Sequence, residues 1–193
     1  MFCHFIYTEY FILTLFLASH NGTVYTFRTS SRDGYTIKRN GRITVGTSLL
    51  HVDWSEDSQF IRTVSLQFNL IFLDTRTNRV ERNGGVICRD QTWSDQTANL
   101  GYASTGTWNN INYKNDPTTN SALHVGNHRT RLAVGDIHGY LRFFQYPCTS
   151  PRAEFHEEKA SSSAITAIRF LFEDSYLLSV GGADATLIRW KLV

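Results

Sequence analysis

The chain has 193 residues, 41% hydrophobic and 13% aromatic, with 19 Lys and Arg against 17 Asp and Glu. That is enough apolar material for one cored domain, and a net charge of +2 excludes the strong positive field of a nucleic-acid binder. Cys3, Cys88 and Cys148 are odd in number, widely spaced and without a CxxC pair. Neither a disulfide framework nor a zinc site is therefore expected, and a reducing compartment fits three small buried hydrophobes.

Residues 1–12 form an apolar amino-terminal segment. The apolar run Tyr10–Ala18 has Glu9 at its edge and no Lys or Arg before it, and it is too short to span a membrane. It reads as a buried inner strand, Phe11–Ala18, and not as an export leader. Asn21-Gly22-Thr23 is formally a glycosylation sequon, but Asn-Gly between two apolar runs is a tight-turn signal. An outer strand is expected at Tyr35–Arg39. Leu49–Val64 then gives a strand through Val52 and Trp54, a turn over Ser55-Glu56-Asp57-Ser58 and a second strand. Asn69–Asp74 and Asn78–Arg82 complete that unit. Cys88–Trp93 reads as the first strand of the next unit, followed by an insertion over about 96–129 carrying Tyr102, Trp108 and Tyr113. Those aromatics mark an ordered insertion and not a linker. The pattern resumes at Arg131–Gly135 and Tyr140–Gln145, with an edge strand at Ala153–Glu157. It closes on a strand ending at Phe170, a turn over Glu173-Asp174-Ser175, the run Tyr176–Val180 and the strand Thr186–Lys191.

These pieces repeat. Val180–Trp190 (VGGADATLIRW) overlays Val134–Phe144 (VGDIHGYLRFF), Leu17–Phe27 (LASHNGTVYTF) and, more weakly, Thr63–Leu73 (TVSLQFNLIFL) without gaps. Their closing residues Phe27, Leu73, Phe144 and Trp190 are 46, 71 and 46 residues apart. A period of about 40–45 residues with four short strands is the WD-repeat pattern of a β-propeller, and the long spacing is one period plus an insertion. The expected fold is all-β. It is a partial propeller of about four four-stranded blades, incomplete at both ends, with units ending near residues 39, 82, 157 and 193 of a domain spanning 13–193. Closed propellers use about 4–8 blades, so the chain is expected to be a piece of a larger ring or, less readily, to complete one with another chain.

Over residues 13–193 the sequence resembles the carboxy-terminal end of the echinoderm microtubule-associated protein-like family. The resemblance rests on Ser19-His20-Asn21, His51-Val52-Asp53-Trp54-Ser55 with Asp57-Ser58, and Arg89-Asp90 followed by Trp93. It continues through Leu100-Gly101, Gly106-Thr107-Trp108, Gly135-Asp136, Gly139 with Phe144, and Tyr146-Pro147-Cys148. Its last pieces are Phe170, Glu173-Asp174-Ser175, Gly181-Gly182-Ala183-Asp184 and Arg189-Trp190. The resemblance implies a non-catalytic interaction module of a cytoplasmic, cytoskeleton-associated protein that binds microtubules or tubulin in its full-length context. The alternative is a WD-repeat scaffold or adaptor with no tubulin contact. Neither nucleic acid nor membrane is an expected partner, and no cofactor, metal or catalytic residue is expected. His124 and His128 lack a third ligand, Asp53 and Asp57 fit capping or surface roles better than acid–base work, and Ser161-Ser162-Ser163 reads as a plain loop.

The residues expected to build the blades are the turn aspartates Asp57, Asp136, Asp174 and Asp184 with Trp54 and Trp190. Trp108 and Tyr113 are the candidates for a partner contact. In WD blades a His, a Ser or Thr, the turn Asp and the Trp form a buried network. Here the Gly-His is missing from Thr44–Ser48 and from Glu158–Ser163, so Asp184 and Trp190 stand without a His. A buried turn aspartate lacking partners would cost on the order of 1–3 kcal/mol, which predicts loosened blades.

Overall fold

Short β-branched and aromatic runs between turn residues leave the chain little choice but strands, and the computed structural model has fifteen of them in four antiparallel sheets among its described residues. It describes residues 2–7, 13–18, 21–30, 36–94, 96–109 and 120–192. Two units, Met1–Ser94 and Asp95–Val193, are each internally packed.

The first unit holds two four-stranded meanders. One is β1 (Phe2–Tyr7), β2 (Leu13–Ala18), β3 (Thr23–Ser30) and β4 (Thr36–Thr44); the other is β5 (Leu49–Trp54), β6 (Phe60–Ser65), β7 (Leu70–Asp74) and β8 (Arg79–Glu81). β1 comes from the segment that sequence pattern leaves outside the repeat, and it pairs with β2 from Phe2↔Ala18 to Tyr7↔Leu13. The first sheet therefore has four strands, and the four sheets make a partial propeller. Val24 and Ile43 of the first sheet pack on Leu49, Val52, Trp54, Ile61 and Leu73 of the second, all nearly without solvent contact. A single helical turn, α1 (Gly84–Ile87), follows.

The second unit opens with another single turn, α2 (Thr105–Trp108), then forms the meander β9 (Asn120–Val125), β10 (Arg131–Asp136), β11 (Tyr140–Gln145) and β12 (Phe155–Lys159). The last sheet has three strands, β13 (Ile165–Phe170), β14 (Tyr176–Gly181) and β15 (Leu187–Lys191). Ala122, Ala133 and Leu141 of the third sheet meet Ile165, Ile168, Phe170 and Leu177 of the fourth.

Two sequence expectations are corrected here. Cys88–Trp93 is not a strand, since it continues the α1 turn and, among the described residues, its one β-type backbone pairing is the isolated Ser55–Trp93 bridge. Gly84-Gly85 and the polar run Arg89-Asp90-Gln91 offer no alternating face to pack. The first strand of the third sheet is instead β9, inside the stretch read as insertion, where Ala122, Leu123 and Val125 supply the buried side. His124 accordingly lies in β9.

Candidate functional site

The four repeat copies converge on one turn. At the sixth residue of each gapless copy stand Gly22, Phe68, Gly139 and Ala185, and all four have positive φ, at 72°, 59°, 82° and 51°. The turn requires the left-handed backbone, which glycine adopts freely and Phe68 and Ala185 adopt under strain. A Cβ on Gly139 would also run into the carbonyl oxygens of Ser161 and Ser163. The loop joining one sheet to the next thus lies directly on this turn, with Ala160 N–H donating to the Gly139 carbonyl at 2.9 Å.

From the other side, that same loop grips Asp184 of the β14–β15 turn. Its Oδ2 accepts the Ser161 hydroxyl at 2.6 Å, the Ser162 amide at 2.8 Å and the Ser162 hydroxyl at 3.0 Å. Oδ1 accepts the Ser163 hydroxyl at 3.0 Å and that of Thr186 at 3.2 Å. The Ser161 hydroxyl, with the Ser162 and Ser163 donors behind it, holds the Asp184 carboxyl well below the usual carboxylate range. The expectation of a turn aspartate without partners is therefore overturned: three serines supply the donors that a histidine would. Trp190 keeps its own link, its indole N–H donating to Ser179 Oγ at 2.9 Å. In the first unit the corresponding latch is uncharged, Thr47 Oγ1 to Gln67 Oε1 at 2.6 Å.

The other predicted aspartates do separate jobs. Asp57 closes its own turn, accepting the Ser55 hydroxyl at 2.6 Å and the Gln59 amide at 3.0 Å. Asp174 is buried and ties two turns together, accepting the Asn127 amide at 2.7 Å, the Asn127 side chain at 2.9 Å and the His128 amide at 2.9 Å. Asp136 is fully buried. It accepts the His138 and Tyr140 amides at 2.9 Å and pairs with Arg142 Nη2 at 2.9 Å, while Arg142 Nε donates to Glu157 at 2.6 Å. Asp53 and Asp57 are not a carboxylate pair, because Asp53 binds Arg62 through Nε at 2.9 Å and Nη2 at 2.7 Å. The Arg62 guanidinium stacks on Trp93 at 4.5 Å, fastening the segment after α1 to the second sheet. Trp54 is core at 1% exposure.

Arg62, Arg142, Asn127 and the three serines are the working residues that sequence reading passed over. An arginine at an inward position of an apolar strand, as in FIRTVS and YLRFFQ, is the signal that would have exposed the first two. Trp108 is half-buried at the end of α2, and Tyr113 lies outside the described residues.

Among the described residues, no reactive centre assembles. Burial pushes the Cys88 and Cys148 thiols up to about 11, so neither is a thiolate at neutral pH. Burial also lowers the His51 pKa, against the opposing pull of Asp53. His124 Nδ1 accepts the Phe170 amide at 3.4 Å, and His128 offers its amide to Asp174. Among the described residues, no group of three or more His, Cys, Asp or Glu could hold a metal ion, and no helix is long and apolar enough to cross a membrane. The second unit carries an open groove of about 1210 Å³, floored by Phe143, Pro147, Phe155 and Trp190 and edged by Arg131 and Lys191.

Residues 12–192 match the family model described as the echinoderm microtubule-associated protein second beta-propeller. Human echinoderm microtubule-associated protein-like 4 is 35% identical over 181 residues, covering 93% of this chain and 18% of that protein. The Xenopus tropicalis protein of the same name is 32% identical, with 93% and 19% covered. Human echinoderm microtubule-associated protein-like 2 is 30% identical, with 93% and 27% covered. The chain thus spans about a fifth to a quarter of these relatives' length. A chain of the mitotic checkpoint complex crystal structure superposes with a TM-score of 0.60 at 10% identity, covering 97% of this chain and 61% of that one, which is a likeness of fold alone. With the four antiparallel meanders and their shared turn, the match over residues 12–192 makes this chain a member of the echinoderm microtubule-associated protein family, from its second β-propeller.

Proposed function

We propose that the chain is a non-catalytic protein-interaction module of a cytoplasmic, cytoskeleton-associated WD-repeat protein, and that within the longer protein it contributes to the contact with microtubules or tubulin. The observation that carries this is family membership along residues 12–192, since the relatives are named as microtubule-associated. The side chains agree with a scaffold: Asp53, Asp136, Asp174, Asp184, Arg62, Arg142 and Trp190 are engaged in holding turns and sheets. A net charge of +2 and the lack of any long basic run favour a contribution to binding over binding by this segment alone.

The test is co-sedimentation with microtubules of the full-length protein, intact and with residues 12–192 removed. Pelleting should drop on removal while the rest of the protein stays soluble and folded. Equal pelleting of the two forms would leave the adaptor reading, in which the module engages a protein other than tubulin.

A further inference from the structure

The outer rim of the first unit carries charge that its own fold does not use. Arg28 on β3 and Lys38 on β4 are directly opposite in the register, and both are exposed. Like charges facing each other across a strand pair destabilise a sheet. By the alternation of the strands they lie on the side that carries Thr26 and Gly41, and Thr26 Oγ1 donates to Asn78 Oδ1 at 3.2 Å in the β7–β8 turn. That contact seats the β7–β8 turn, which contains Arg76 and is followed at once by Arg79, against this part of the first sheet. Arg79 is exposed, and Arg76 is 68% exposed, reaching Asp74 only at 4.0 Å. Asp74 is already occupied by the Arg76 and Thr77 amides, and Glu81 by the Asn83 amide. Arg28, Lys38 and Arg79 make no ion pair with a described carboxylate. Lysines and arginines on an edge strand do guard against strand-to-strand aggregation, which accounts for charge on β4. Guarding an edge does not require a second cation directly opposite on β3, or two more on the adjoining turn.

We propose that Arg28, Lys38, Arg76 and Arg79 form a docking surface for an acidic polypeptide segment of a partner protein. The proposal rests on the reading of the chain as a protein-interaction module and assigns the partner's chemistry. A carboxylate-rich segment lying across the rim would neutralise the opposed pair. Four cations on a chain of net charge +2 suit a short acidic stretch better than a nucleic-acid backbone, which draws on a wide basic footprint.

The experiment uses the full-length protein and two labelled probes, a short polyglutamate peptide and a single-stranded RNA oligonucleotide, followed by fluorescence anisotropy across a salt series. The peptide should bind, weaken steeply with salt, and lose at least about tenfold in affinity in Arg28→Glu and Lys38→Glu variants. Charge reversal at Arg152 and Arg169, exposed in the second unit, should leave affinity unchanged. Lys38→Glu converts a like-charge pair into an opposite-charge one, so its melting temperature should hold or rise while peptide affinity falls, a split that a purely structural lysine would not give. Peptide binding that is absent, or equally reduced by the control reversals, overturns the surface. Tighter binding of RNA than of peptide overturns the partner class. Loss of microtubule pelleting with peptide binding intact would instead strike the tubulin contact and leave the surface standing.

Discussion

At the scale of single residues, the most telling position is the sixth of each repeat, where the backbone demands positive φ whatever the side chain. Ala185 is exposed and gains nothing from its methyl group, so Ala185→Gly should stabilise by about 0.5–1 kcal/mol. Gly139→Ala should destabilise by more than that, because its Cβ also meets the Ser161 and Ser163 carbonyls. Urea midpoints of the two variants check both signs. Titratable groups give a second expectation. Burial depresses the His51 pKa below 6.5, so the unfolded chain binds the proton more readily, and stability present above that pH is lost as pH falls toward the folded-state value. The Asp184 carboxyl is also depressed, by its serine donors, so its share is present above the ordinary carboxylate range and lost as pH falls below it. Urea midpoints against pH should therefore decline in two stages, the first absent in His51→Gln and the second in Asp184→Asn.

At the scale of elements, the third sheet is pinned by Arg142, which is wholly buried between Asp136 and Glu157. Removing one member of a buried pair strands the other charge, so Arg142→Met should cost about 3–5 kcal/mol, and Asp136→Asn together with Arg142→Met should recover much of it. A double-mutant cycle by denaturant unfolding reads the difference; a double variant as unstable as the sum of its parts would deny the pairing. The Asp136–Arg142 and Asp53–Arg62 pairs show why strand positions were easier to read than strand contents. Alternation in FIRTVS and YLRFFQ marks a strand whether or not its arginine is inward. Which carboxylate meets that arginine depends on register and on the neighbouring strand. The displaced strand in the third unit has the same cause, because the composition of Cys88–Trp93 does not show that its β pairing stops at the single Ser55–Trp93 bridge.

At the scale of the whole molecule, three sheets carry four strands and the last carries three. A single sheet of this kind cannot bury both faces, so stability here comes from stacking one meander on the next within each unit. That is why the loops between sheets matter more than their sequence suggests. Ser161–Ser163, unremarkable by motif, lies between the turn of one sheet and the turn of the next and bonds to both.

The sequence by itself determined the all-β class, the repeat and its turns and the positions of most strands, because those follow from local periodicity and fixed spacing, while the family was legible through resemblance in its motifs. Only the tertiary structure decided who partners Asp184, Asp174, Asp53 and Asp136, where the third unit begins, and that Arg28 faces Lys38. A hydrogen bond or a charge contact is fixed by three-dimensional register between distant segments, and no local pattern carries that register.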